Sequence, residues 1–293
     1  MITVLIPVYK QTEFFLAHFK HNLPFFSHCE IIIVNDDPTT DLSPYLQNIE
    51  NLTLIQNKHN LGFAGAVNVG IRKAQGTRLV LLNSDVKLKD ASFKKAEKTF
   101  DHPKLFAVSF AQEERNGTIV GANRWYWHDG FFQHEGTITK KRNINAWAEG
   151  GAAMFDLQKL RNLGGFDERF SPFYWEDIDL SYRAWKAGYT IVFDPTIVVI
   201  HAHESTIKTY FANKMKTVAY RNQLLFIWKN IYDPTLRIKH IAGATKFFMR
   251  AMFRGDWSFI KGFFSAVLKH ITTKKETVSY AKTDKEVLQL FAK

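Results

Sequence analysis

The pattern of this chain predicts an α/β fold, with a mostly parallel central sheet flanked by helices and a helical C-terminal region. Three observations carry that expectation. Over residues 1–105, apolar β-branched runs alternate with helix-like stretches, the pattern of parallel strands joined by crossover helices. Two of those runs stop in acidic or amide clusters, Asn35-Asp36-Asp37 and Asn83-Ser84-Asp85, and in an open α/β sheet such strand ends border a shared ligand crevice. Beyond Tyr210 the chain reads as helix to its end.

The elements follow in order. Thr3–Tyr9 is a first strand and Glu13–His21 a helix. Ile31–Val34 is a strand stopped by Asn35-Asp36-Asp37-Pro38, and Leu52–Ile55 is a third. Leu61–Ala74 is helical, with Asn60 as its expected N-cap and Gly76 just past its end. Leu79–Leu82 is a strand and Ala91–Phe100 a helix capped by Asp90. From about residue 105 the rhythm changes. Phe106–Ala111 and Thr118–Gly121 read as strands, and then Trp125, Tyr126, Trp127, Phe131 and Phe132 show little periodicity. Ala152–Phe155 is a short strand, Leu157–Leu163 a short helix ended by Gly164-Gly165, and Asp177–Ala187 an amphipathic helix ended by Gly188. Thr190–Phe193 and Ile197–Ile200 read as two further strands. The expected organisation is one domain over 1–205, divided at 105/106 into two halves, and a helical region over 206–293.

Composition narrows the class. At roughly 100–200 residues per domain, 293 residues fit one large domain or two smaller ones. An apolar content of 46% supplies a core and argues against disorder. A single cysteine, Cys29, excludes an internal disulfide and suits a reducing compartment. The first residues read directly as a strand, without a basic n-region or cleavage site, so no signal peptide is expected. No apolar run approaches the ~20 residues that span a bilayer. The net charge of +11 favours anionic partners. Much of it lies over residues 235–275, where Arg237, Lys239, Lys246, Arg250, Arg254, Lys261 and Lys269 face one acid, Asp256.

Four clusters carry candidate chemistry. Asp36 and Asp37 follow a buried strand, where a carboxylate can accept hydrogen bonds from a base or ribose; Asp, Asn and Pro also build ordinary turns. Asp85, at the next such strand end, suits a hard divalent cation that also holds a diphosphate, since Mg²⁺ takes few protein carboxylates. Glu176 and Asp177 open a helix. Acids in a first turn complement the helix dipole, but Phe173, Tyr174 and Trp175 precede these two, and a sugar ring can lie on an aromatic face. A base there must reach a hydroxyl proton. His201 and His203, two apart at a strand end, are metal-ligand candidates, although ligand type alone does not choose the metal. No Gly-x-x-x-x-Gly-Lys-Ser/Thr loop, Gly-x-Gly-x-x-Gly, Gly-x-Ser-x-Gly or Cys-x-x-Cys is present.

Taken together, Val4–Tyr9, Ile33-Val34-Asn35-Asp36, Asn60-Leu61-Gly62-Phe63-Ala64, Leu81–Asp85, Gly150–Met154, Gly164–Phe170, Trp175–Leu180 and Val199-Ile200-His201 make the chain resemble a family-2 glycosyltransferase of the bacterial rhamnosyltransferase-like kind over roughly residues 2–205. The resemblance implies the GT-A (nucleotide-diphospho-sugar transferase) fold and an inverting transfer from a nucleotide-diphosphate donor, dTDP-rhamnose or a UDP-sugar, to a hydroxyl of a glycan or lipid-linked acceptor in bacterial polysaccharide synthesis. It implies that Pro7, Tyr9, Asp36, Asp37, Asn60, Gly62, Asn83 and Ser84 line the nucleotide, with either Asp36 or Asp37 on the base. Asp85 and His201 would hold a divalent cation, Mn²⁺ or Mg²⁺; Asp177 would be the catalytic base; Glu176, Trp175 and Gly151 would contact the acceptor. Asn83 stands where the Asp-x-Asp metal motif has its first acid, and Pro38 where a small turn residue is common.

Competing readings are a sugar-phosphate nucleotidylyltransferase, against which Lys10-Gln11-Thr12-Glu13 lacks the Gly-rich loop that chemistry wants, and a non-catalytic relative binding anions or membrane. An acidic crevice does not suit a phosphate backbone, so no nucleic-acid partner is expected. Phe247, Phe248, Met252, Phe253, Trp257, Phe259, Phe263 and Phe264 interleave with the basic residues of the C-terminal region. They either pack onto the catalytic domain or place the protein peripherally on an anionic membrane. The expected location is the cytoplasm, with that peripheral contact on the inner face of the cell membrane.

Overall fold

The computed structural model describes residues 1–114, 116–201, 209, 211–272 and 280–292. Its centre is a mixed sheet. We number its strands β1 (Ile2–Val8), β2 (Glu30–Asn35), β3 (Leu52–Gln56), β4 (Arg78–Leu82), β5 (Val86–Leu88), β6 (Leu105–Glu113), β7 (Ile119–Val120), β10 (Asn143–Ile144), β11 (Ala152–Asp156) and β12 (Thr190–His201); β8 (Ala122–His128) and β9 (Phe131–Thr137) form a separate hairpin. The spatial order is β10-β12-β6-β11-β4-β1-β2-β3, with β5 on β12 and β7 on β6. β4, β1, β2 and β3 run parallel, β6 and β12 run parallel, and β11 joins the two groups antiparallel to both β4 and β6.

Alternation along the strands builds two cores. In β1, Val4 and Ile6 face one side with Phe15 and Phe19 of helix α1 (Thr12–Asn22), while Leu5 faces the other with Val67 and Ile71 of α2 (Gly62–Lys73). That period of two is what a strand covered on both faces requires. Two short or amphipathic helices, α3 (Leu157–Asn162) and α4 (Glu176–Lys186), follow β11. Four more complete the chain: α5 (Met215–Asn230), α6 (Pro234–Arg254), α7 (Trp257–Ile271) and α8 (Asp284–Gln289). They join the second core through Leu224, Phe226, Phe259 and Phe291. Among the described residues, no helix is long and apolar enough to cross a membrane.

Four local expectations need correction. The irregular aromatic stretch is the β8–β9 hairpin, turned by Asp129-Gly130 with φ of 49° and 82°, the left-handed pair that a two-residue hairpin turn needs. Residues 91–101 wind as a long 3₁₀ helix rather than an α-helix, although Asp90 does cap it by accepting from Ser92 N. The two strands expected over 190–200 are one, β12, whose register against β6 slips between Asp194 and Val198; Pro195 lies there, with no N–H to give to a ladder. Finally, Leu61 rather than Asn60 takes the N-cap position of α2.

The apolar side chains of the C-terminal helices divide between packed and exposed positions. Phe247 packs on Phe131 and Phe259, and Phe259 is fully buried. Met252, Phe253, Trp257 and Phe264 are exposed.

Candidate active site

A cavity of about 340 Å³ opens where β1, β2 and β4 end and β11 begins. The antiparallel β11 explains part of the convergence. Its Ala152 pairs with Leu82, so Gly151 lies beside Asn83 and accepts from Asn83 N at 3.0 Å. A Cβ on Gly151 would meet Asn83 Nδ2 at 2.3 Å, so a larger residue here would displace the Asn83 side chain from its place at the cavity.

Asp36 forms one wall. Its carboxylate accepts from Asn57 Nδ2 (2.7 Å), Leu61 N (2.9 Å) and Gly62 N (2.9 Å). It therefore caps α2 from another strand, where the helix's unpaired N–H groups attract a negative charge. Burial still raises its pKa above the ordinary carboxylate value, and the Leu61, Asn57 and Gly62 donors only partly offset that. Asn60 supports the same turn by accepting from Gly62 N at 2.8 Å. Gly62 itself has φ of +75°, a conformation that favours glycine. Asp37 turns elsewhere. It accepts from Thr39, Thr40 and Lys10 at 2.7–3.1 Å, and although burial opposes it, those donors hold its pKa below the usual value. It does not line the cavity.

Asp85 and His201 meet because β5, which starts just after Asp85, pairs antiparallel with the end of β12, setting Val86 opposite His201. His201 Nε2 lies 3.2 Å from Asp85 Oδ1, and Nδ1 lies 2.5 Å from Gln112 Oε1. With Gln112 accepting from Nδ1, Nε2 is turned toward the Asp85 carboxylate, the orienting contact a ligating imidazole needs, and the two atoms are placed as neighbouring ligands of one cation would be. These donors fit a divalent cation whose remaining ligands come from phosphate oxygens. Among the described residues no group of three or more His, Cys, Asp or Glu could hold a metal alone. His203 lies outside the described residues.

Glu176 and Asp177 enter through a strained turn. Tyr174 and Trp175 both have positive φ, 69° and 77°, which costs on the order of 1–3 kcal/mol per residue and persists only where surroundings enforce it. The enforcement comes from α5. Asn222 Nδ2 donates to the carbonyls of Phe170 (2.7 Å), Phe173 (2.9 Å) and Tyr174 (2.8 Å), and Arg221 donates to Ser171 O at 2.5 Å. The turn delivers Asp177 to the cavity, where its carboxylate accepts from Ile178 N (2.8 Å) and Gly150 N (3.4 Å). Burial raises its pKa. Glu176 is pushed up to about 8 by burial and then by Asp177, and its Oε2 is buried with no hydrogen-bond partner among the described residues.

Sequence reasoning missed Glu149. It lines the same cavity, accepts from Asn123 Nδ2 at 3.2 Å, and is pushed up to about 8 by burial and by Asp177. The available signal was an acid directly before the Gly150-Gly151 pair that opens β11. Gln112 and Phe211 also line the cavity without having been singled out as site residues.

Of the expected residues, Pro7, Tyr9, Asp36, Asn60, Gly62, Asn83, Ser84, Asp85, Gly151, Glu176, Asp177 and His201 line this one cavity. Trp175 does not. Its ring is buried against Phe132, His134 and Phe226, whereas its neighbours Phe173 and Tyr174 do line the cavity.

The sequence profile of glycosyl transferase family 2 matches residues 3–163. The chain is 26% identical over 203 residues to the poly-beta-1,6-N-acetyl-D-glucosamine synthase of Staphylococcus aureus (strain COL), covering 66% of this chain and 48% of that protein. The chain spans less than half the length of the curated relatives it matches. Among solved structures, GalNAc-T7 with UDP, GalNAc and Mn²⁺ has a TM-score of 0.61 at 13% identity over 80% of this chain and 48% of that one. The mannosyltransferase PcManGT from Pyrobaculum calidifontis, in complex with GDP-Man and Mn²⁺, has a TM-score of 0.55 at 16% identity over 93% and 76% of the two chains.

Proposed function

The chain belongs to glycosyl transferase family 2 and has the GT-A fold, and from that premise we propose that it is an inverting hexosyltransferase, moving a sugar from a nucleotide-diphosphate donor to an acceptor hydroxyl. The observation that carries this reading is the entry of Asp177 into the cavity that Asp36, Asp85 and His201 also line.

Each residue has a task in it. Asp36 and the turn it caps hold the nucleoside, with Pro7, Tyr9, Asn60 and Gly62 around it. Asp85 and His201 hold a divalent cation, Mn²⁺ or Mg²⁺, which when bound neutralises the departing diphosphate. Asp177 accepts the acceptor's hydroxyl proton as that oxygen attacks the anomeric carbon, and a base held near working pH does this best. Its raised pKa moves it in that direction. Glu176, Gly151, Phe173 and Tyr174 border the space left for the acceptor. Glu149 and Glu176, kept protonated, spare Asp177 two neighbouring charges and stand as hydroxyl donors toward sugar oxygens.

The donor is dTDP-rhamnose or a UDP-hexose, and the acceptor a glycan or lipid-linked sugar of a bacterial polysaccharide. The manganese and nucleotides of the solved neighbours support the donor class, and the poly-N-acetylglucosamine synthase relative supports the acceptor class. The test is calorimetric titration with UDP, dTDP, GDP and ADP, each with Mn²⁺, Mg²⁺ or EDTA. Metal-dependent binding of one nucleotide, weakened at least tenfold in Asp85→Ala and His201→Ala, is expected. Binding of none of them rejects the donor class.

A further inference from the structure

We propose that α6 and α7 form a docking surface for an anionic lipid bilayer, independently of what the cavity catalyses. In α6 the apolar residues Ile238, Ile241, Met249, Met252 and Phe253 face solvent, with Ile238 69% and Phe253 88% exposed. With Thr245 they recur at steps of three and four, which places them on one face of a helix with 3.6 residues per turn. In α7, Trp257, Phe264, Leu268 and Ile271 are exposed in the same rhythm, with Lys261 completing the series. The two helices meet beside the stripes, where the half-buried Phe248 of α6 touches Phe264 of the α7 stripe, ring centroids 6.1 Å apart. Burial runs along the opposite sides of both helices, through Leu236, His240, Ala244 and Ala251 of α6 and Phe259, Gly262 and Ala266 of α7. Core packing therefore does not account for the exposed stripes, and contiguous exposed apolar surface marks a binding face.

Charge decides what the face fits. Lys239, Lys246, Arg250 and Arg254 each follow a stripe position by one residue, so they line one edge of it; Lys261 stands within the α7 series. All five are exposed, and among the described residues none has a carboxylate partner. Between residues 234 and 272 the only acid is Asp256, and its carboxylate is engaged as the cap of α7, accepting from Phe259 N at 3.2 Å. An apolar stripe edged by unpaired cations matches an anionic leaflet, with headgroups for the Lys and Arg ends and acyl chains for the rings. A second copy of the chain fits it poorly. A two-fold interface would set this face against itself and bring the same cations together. The surface is also linked to the cavity. α7 packs along α5, where Phe259 meets Tyr220 with ring centroids 5.2 Å apart, and the next two residues of α5, Arg221 and Asn222, hold the Phe170–Tyr174 turn.

The test uses the full chain in vesicle flotation, comparing phosphatidylcholine with an equal mixture of phosphatidylcholine and phosphatidylglycerol. Two double variants, Met252→Ser/Phe253→Ser and Lys246→Glu/Arg250→Glu, are checked for native circular dichroism and melting, and sedimentation velocity without lipid follows self-association. Each cation near such a leaflet is worth about fivefold in partitioning. Binding to the phosphatidylglycerol vesicles alone, at least tenfold weaker in both variants, is the expected result. No binding to those vesicles, or binding unchanged in both variants, overturns the proposal. Weakening by the charge pair alone would reduce the contact to diffuse attraction and also reject it, as would a lipid-free dimer that Met252→Ser/Phe253→Ser disperses. Nucleotide titration is a separate readout, so loss of one does not imply loss of the other.

Discussion

Asp177 and Asp179 stand two positions apart on α4 and serve opposite ends of the molecule's chemistry. Asp177 faces the cavity, half-buried, with only backbone donors on its carboxylate. Replacing it with Asn keeps its shape and removes its basicity, so kcat should fall by about 10²–10⁴-fold while donor binding by calorimetry stays near wild type. Glu149 gives a second expectation at this scale. Its folded pKa of about 8 lies above the ordinary 4.5, so the folded state keeps a proton that the unfolded chain releases. Its contribution to stability is full at low pH and declines as pH rises from about 4.5 to 8. The metal-free protein should thus lose urea resistance over that range, and Glu149→Gln should flatten the slope. A slope identical in the variant would exclude Glu149 as its source. The pairing of Asp85 with His201, 116 residues apart in sequence, was expected only through family resemblance. No local pattern announces which β-strand will bring a histidine to an aspartate.

The helices show how one segment carries two duties. Asp179 is fully buried and accepts from Arg183 Nε (2.8 Å), Lys229 Nζ (2.7 Å) and Asn230 Nδ2 (2.7 Å), which fastens α4 to α5. Removing one partner of such a buried ionic cluster strands the others. Asp179→Ala should therefore cost about 3–5 kcal/mol in urea denaturation, whereas Asp177→Asn should cost little. Sequence patterning located α1, α2 and α4 to within a residue or so at each end, because glycine, amide or aromatic stretches flank their helix-forming runs. It missed the β8–β9 hairpin because its aromatics fill both faces, Trp125, Trp127 and Phe132 on one and Tyr126 and Phe131 on the other, so no apolar alternation remained to read. The Asp129-Gly130 turn was the legible signal there. Trp175 was misplaced for a related reason. Its neighbours suggested an aromatic platform, but the left-handed turn swings its ring into the core, and no side-chain pattern encodes that turn.

At the scale of the whole molecule, the helical C-terminal region and the sheet share their core. Trp175, Phe132 and Tyr182 pack on Phe226 of α5, and Trp125 and Trp185 on Phe291, just after α8. The buried Asp284 of α8 accepts from Lys186 Nζ (2.6 Å), Tyr182 Oη (2.8 Å) and the backbone N–H groups of Tyr232 and Asp233. A chain cut after residue 205 would expose those rings and leave Lys186 buried without its carboxylate. It should lose the cooperative urea transition of the full chain, and a truncated chain melting like the intact one would refute this. The strand–helix alternation made the sheet readable from sequence, since each strand's covering is local. The docking of α5 was not readable, because it depends on one amide, Asn222, reaching three carbonyls about fifty residues earlier in the chain. That reach limits recombination. Exchanging the first two hundred residues for a relative's, to transplant a different sugar preference, would bring in a turn whose carbonyls no longer meet their clamp. A working graft would need its crossover point moved past Asn222, or the incoming turn matched to the resident helix.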